Sequence, residues 1–242
     1  MRHSTAIAVL SLFGLTACSE SGSGPEGTGR VVLQLATVPK GAAAASSSAA
    51  ADLVITRVQL VARKLRMAQA SDACPQAEDD SNTEGAGECP AIKAGPLLLD
   101  PPVTDGAVEA FTADLPAGTY NRIRFQIHKP TGSNDQAFLQ ANPGFEGVSI
   151  KVEGTYHLQP FTFTTALTTV QEIQLAAPVV VVDGAPVELT VLLDVKGWFA
   201  DQAGTGWVDP SALTQQLRSR IEQNIRNSFR AFRDTNRDGS QD

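Results

Sequence analysis

Histidine, cysteine and tryptophan are scarce in this chain, with three, three and two residues in 242. No zinc-type His-Glu-x-x-His, no Gly-x-Ser-x-Gly elbow and no phosphate-binding loop of the Gly-x-x-x-x-Gly-Lys-Ser/Thr type occurs in it. Beyond the N-terminus the histidines are His128 and His157. Each falls at a predicted strand end, away from cysteines or carboxylates at ligand spacing, and a structural role is expected for both. Positive charge is also in short supply: Lys and Arg number 19 against 26 Asp and Glu, for a formal net charge of −7. That balance argues against nucleic acid and against general adhesion to anionic lipid. Past the first residues no apolar run approaches the roughly 20 residues that a membrane helix needs.

The N-terminus does carry a short apolar run. Met1-Arg2-His3 is a basic start, Ala6 to Leu15 is almost wholly apolar, and the run ends in Leu15-Thr16-Ala17-Cys18. Too short to span a bilayer, it reads as a signal-peptide core over residues 1–17. Leu-Thr-Ala-Cys resembles the lipobox of bacterial lipoproteins. The resemblance implies cleavage before Cys18, a diacylglycerol on its thiol and acylation of the new amino group. Two or three acyl chains hold a protein firmly, at about 0.8 kcal/mol per buried methylene. Ser19, a non-aspartate, points by resemblance to enterobacterial sorting toward the outer membrane. Residues 18–29 are rich in Ser, Gly, Pro and Glu and read as a flexible tether.

Cys74 and Cys89 flank a polar segment, each followed by proline. In an oxidising compartment a disulfide between them is the favoured reading. Free thiols or a thiolate metal site are the alternatives, and no histidine stands nearby for the latter. The loop between them holds Glu78, Asp79, Asp80, Glu84 and Glu88, with Asp72 just before it. Without regular spacing these carboxylates read as a solvated loop over 68–92. Residues 41–51 are Gly/Ala/Ser low-complexity.

Short β-branched runs dominate the rest. Strands are predicted at 30–37, 53–66, 97–99, 108–112, 119–128, 148–158, 161–165, 170–175, 179–182 and 187–195. Helix competes at 53–66, where Ala, Leu, Lys and Arg gather, but alternation favours a strand. A helical turn is expected at 136–140. The pattern predicts a mainly β chain with residues 30–209 as an antiparallel β-sandwich of immunoglobulin or transthyretin type. Asp209-Pro210 then reads as a helix start. Leu213, Leu217, Ile221, Ile225, Phe229 and Phe232 predict an amphipathic helix over 210–233.

Three stretches in this order carry a resemblance: Gly29-Arg30-Val31-Val32-Leu33, then Asp114-Leu115-Pro116-Ala117-Gly118-Thr119-Tyr120, then Glu153-Gly154-Thr155-Tyr156 leading into Gln159-Pro160-Phe161. With the closing strand 187–194, the chain resembles a family of bacterial lipoproteins that share a β-sandwich domain of unknown function. The resemblance covers roughly residues 29–210. It implies a sandwich fold and a cell-envelope location, and it brings no catalytic residues.

The tail Asp234-Thr235-Asn236-Arg237-Asp238-Gly239-Ser240-Gln241-Asp242 resembles the calcium loops of thrombospondin type 3 repeats and EF-hands. The resemblance implies side-chain oxygens from Asp234, Asn236 and Asp238, a carbonyl from Ser240, and Asp242 directly or through water. The acidic residue that usually follows at the twelfth loop position is missing here, so weak binding is expected. A solvated acidic tail is the plainer alternative. Trp198 and Trp207 flank residues 197–206; exposed together they would form a platform for a glycan. The leading expectation is a non-enzymatic, membrane-tethered binding or scaffolding protein with an envelope protein or a glycan as partner. A carbohydrate-binding surface module and a hydrolase without a recognisable motif are the alternatives.

Overall fold

Alternation in the first strand shows how the chain builds its core. In β1 (Thr28–Thr37) the side chains of Val31, Leu33 and Leu35 enter the main apolar cluster, while Val32, Gln34 and Ala36 point to the opposite face. Both sets are buried, so this strand is covered on two sides. The computed structural model describes residues 27–38, 52–69, 91–93 and 95–242. The leader, Cys18, the tether up to residue 26, the 41–51 segment, Cys74, Cys89 and the acidic loop 72–88 lie outside the described residues.

The other strands are β2 (Leu53–Gln69), β3 (Ala91–Lys93), β4 (Leu97–Leu99), β5 (Val108–Pro116), β6 (Gly118–Ile127), β7 (Ile150–Tyr156), β8 (Gln159–Thr165), β9 (Thr169–Val181), β10 (Val187–Leu193) and β11 (Phe229–Arg233). The helices are α1 (Gln136–Ala141) and α2 (Gln215–Arg226). The described strands form one curled sheet in the order β5-β1-β10-β11-β9-β6-β2-β7-β8, with β3 and β4 also against β2. Its two ends share a core: Leu33 and Leu35 of β1 line the same small void as Leu60 and Leu65 of β2 and Phe125 of β6. Each fully buried Leu or Ile contributes about 1.5–3 kcal/mol relative to exposure.

The chain is mainly β, as expected. The long strand at 53–66 forms and runs on to Gln69, with a bulge where Lys64 takes a positive φ of 52°. The strands predicted at 170–175 and 179–182 are one strand, β9. Pairing, however, is mixed rather than antiparallel throughout. β1 runs parallel to β10, and β11 meets β9 in parallel at Ala231↔Leu175. Parallel neighbours need long connections. Here β2 to β9 intervene between β1 and β10, and α2 lies on the path from β9 to β11.

The C-terminal helix is shorter than its apolar spacing suggests. Helix α2 starts at Thr214, whose side chain accepts the Leu217 N–H, not at Asp209-Pro210. Asp209 instead caps a turn by accepting the Ser211 N–H. The helix ends at Asn227, and Phe229 to Arg233 become β11 between β10 and β9. Phe229-Arg230-Ala231-Phe232-Arg233 suits a strand as readily as a helix, and the open ladder position beside β10 decides the outcome. Residues 210–233 are therefore part of the sheet domain, not an appendage. Ile221 and Ile225 of α2 are fully buried against the core. Arg218 lies 5.5 Å over the Phe163 ring and donates to the Thr164 carbonyl, so α2 covers part of edge strand β8.

Candidate functional site

Each predicted site residue that lies among the described residues has a definite place. The tail does not project into solvent. It folds back over the outer face of β1 and β10. Asp234 follows β11 directly and is completely buried. Its Oδ2 accepts the hydroxyl of Thr190 at 2.9 Å and the N–H of Gly239 at 2.9 Å, and its Oδ1 accepts the N–H of Asp238 at 3.2 Å. Asn236 Oδ1 also accepts the Asp238 N–H, and Asp238 Oδ1 accepts the Ser240 N–H at 2.7 Å. Side chains at alternate positions thus fold the backbone round themselves, which Asp and Asn do readily. Gly239 closes the turn with φ +81°, and a Cβ there would meet Ala36 at 3.3 Å.

A second contact pins the loop. Arg237 donates Nε and Nη2 to the two oxygens of Glu188 at 2.9 and 2.8 Å. Glu188 also accepts from Gln34 Nε2 at 3.0 Å. The guanidinium of Arg237 holds the Glu188 carboxyl below its ordinary value against the opposing effect of burial, and Gln34 assists. Arg237 is raised in turn by the same carboxylate. Asp242 accepts both the hydroxyl and the N–H of Thr235, which lower its carboxyl. Under this strap Gln34, Ala36, Thr190 and Asp234 are sealed from water. Among the described residues, no three His, Cys, Asp or Glu side chains converge as they do around a bound metal ion. The strap meets the sheet through Thr190, Glu188 and Gln34, residues that sequence reasoning missed. A polar Gln and Thr at outward positions of β-rich strands look solvent-facing until something covers them.

The tryptophan platform is not formed. Trp198 is fully buried, its indole N–H donating to Ser228 Oγ at 2.7 Å. Trp207 is half-buried, with Lys196 Nζ 5.4 Å from the ring centroid. Trp198 sits beside Phe199, which packs edge-on against Phe161 and Phe163. A large apolar ring facing a core gap is drawn in by burial, and its N–H finds a partner there.

His128 and Asp135 form a buried pair at 2.8 Å, and the same Asp135 oxygen accepts the Thr131 N–H. The pair ties down the turn that follows β6. His157 is exposed, 3.3 Å from Asp52. With Leu158 it forms the two-residue turn between β7 and β8, at φ 47° and 66°. A cleft of about 260 Å³ lies between the ends of β1 and β2 and residues 103–105, with Asp105 and Lys196 on its wall. No family model, curated protein or solved structure matches this chain.

Proposed function

We propose that this is a lipid-anchored protein of the bacterial cell envelope, most consistent with the outer membrane, whose β domain binds or scaffolds rather than catalyses. The observation that carries the reading is Leu15-Thr16-Ala17-Cys18 at the end of a short apolar run behind a basic start. The acidic balance supports a protein or glycan partner over nucleic acid. Resemblance to the uncharacterised lipoprotein family supports the same location. The finer fold assignment, a β-sandwich, belongs to this proposal: β5-β1-β10-β11 would be one layer and β9-β6-β2-β7-β8 the other. The Cys74–Cys89 disulfide belongs to it as well. The test is Cys18→Ser with membrane fractionation and mass spectrometry of the N-terminus. Release of the variant into the soluble fraction, with a diacylated Cys18 in the parent, is the expected result. A parent with an uncut leader or an unmodified thiol ends the reading.

A second proposal concerns the tail. The alternate Asp234, Asn236 and Asp238 side chains already order the backbone around Gly239, and each keeps lone pairs to spare. That frame favours calcium with the affinity of extracellular modules, on the order of 10⁻⁴–10⁻³ M. Calcium titration of the full chain against its Asp238→Ala variant decides it, since equal heats in the two would remove the tail as the site.

A further inference from the structure

Gln34 sits at the centre of the strap's footprint. It stands opposite Thr190 in the β1–β10 register, and Thr190 holds Asp234. Its side chain is fully buried. The amide nitrogen is committed to Glu188, the same carboxylate that Arg237 of the loop grips. The amide oxygen is shielded from water and accepts no hydrogen bond. Exchanging oxygen and nitrogen does not repair this, because the oxygen would then face the Glu188 carboxylate.

An orphaned buried acceptor is costly to folding and calls for an explanation. Here it lies under a loop whose first residue is a buried carboxylate and whose next two alternate positions carry oxygens. The oxygens at this spot are the orphaned amide carbonyl and the side chains of Asp234, Asn236 and Asp238. A hard divalent cation satisfies such a set, and calcium accepts amide carbonyl oxygens beside carboxylates.

We infer that Gln34 Oε1 of β1 supplies an oxygen ligand from the sheet in a calcium site with Asp234, Asn236 and Asp238. This rests on the calcium proposal for the tail and adds a ligand from the sheet. The site then joins β1 to the loop of residues 234–238. Calcium would therefore lock the strap down and not merely decorate a tail.

The test is isothermal titration of the full chain with calcium chloride, with thermal melting in calcium and in chelator. The parent, Gln34→Leu, Gln34→Glu and Asp238→Ala are compared. Gln34→Leu should weaken calcium about ten-fold or more. Gln34→Glu puts a carboxylate beside Glu188 and Asp234, so it should melt lower than the parent in chelator. It should then bind calcium about ten-fold more tightly and recover in its presence. A merely structural glutamine predicts destabilisation by both variants with no gain in affinity. Calcium bound equally by the parent and Gln34→Leu, with Asp238→Ala silent, overturns the role of Gln34 and leaves the tail proposal standing. Absence of calcium binding by the parent removes both.

Discussion

The carboxylate of Asp234, wholly shielded from solvent, accepts the hydroxyl of Thr190 at 2.9 Å across 44 positions of the chain. This contact makes the tail a piece of the domain. Asp234→Ala should leave the Thr190 hydroxyl and the Gly239 N–H without their acceptor, and the Asp238 N–H with Asn236 alone. A loss of about 3 kcal/mol in urea denaturation is expected. Thr190→Val removes one donor and should cost about 1 kcal/mol. Equal, negligible effects from both would show that the strap is not docked in solution.

The Glu188–Arg237 pair sets a pH dependence. Arg237 lowers the folded-state carboxyl of Glu188 below the ordinary 4.5. The pair therefore adds stability above the unfolded value, and that stability fades as pH falls below about 4.5 through the folded value. In Arg237→Gln the urea midpoint should drop at pH 7, and the gap to the parent should close in acid. Arg237 is about half exposed, so the gap should be small and should shrink in high salt. A gap that persists unchanged at pH 3 would contradict the assignment.

Leu158 is 84% exposed, and both it and His157 occupy the left-handed region. Two-residue turns of this type prefer Asn-Gly, and a left-handed L-residue costs about 1–2 kcal/mol. Leu158→Gly should raise stability by about 1 kcal/mol with no burial lost. Destabilisation would mean that the leucine side chain has a contact in solution.

Helix α2 closes the core rather than standing apart from it. Ile221→Ala should cost about 3 kcal/mol in a single cooperative transition. Thr214→Ala, which removes the N-cap, should cost about 1 kcal/mol. A separate early melting phase for Ile221→Ala would instead make residues 210–233 an independent unit.

Much of the fold was legible along the chain because strand burial writes itself in alternation. Ile123, Phe125 and Ile127 read directly as core positions of one strand, and all are buried; Tyr120, on the opposite set by alternation, is buried as well. The segment 229–233 was not legible in this way. Phe229 and Phe232 continue the spacing of α2, and no local preference separates helix from strand over five residues. The tail was legible as an Asx-rich loop, since its frame needs only Asp, Asn and Gly at fixed offsets. Its docking was not, because Gln34, Glu188 and Thr190 are distant in sequence and look like ordinary outward polar positions.

The amino-acid sequence alone determined the β character, the turns, the leader-like start with Cys18 and the local geometry of residues 234–240. These depend on neighbours a few positions apart, through sterics and short-range hydrogen bonds. Only the tertiary structure decided the parallel entry of β10 beside β1, the strand fate of Phe229 to Arg233, the burial of Trp198 and the covering of Gln34. Those outcomes come from which distant surfaces exclude water together, and no local pattern of residues encodes that choice.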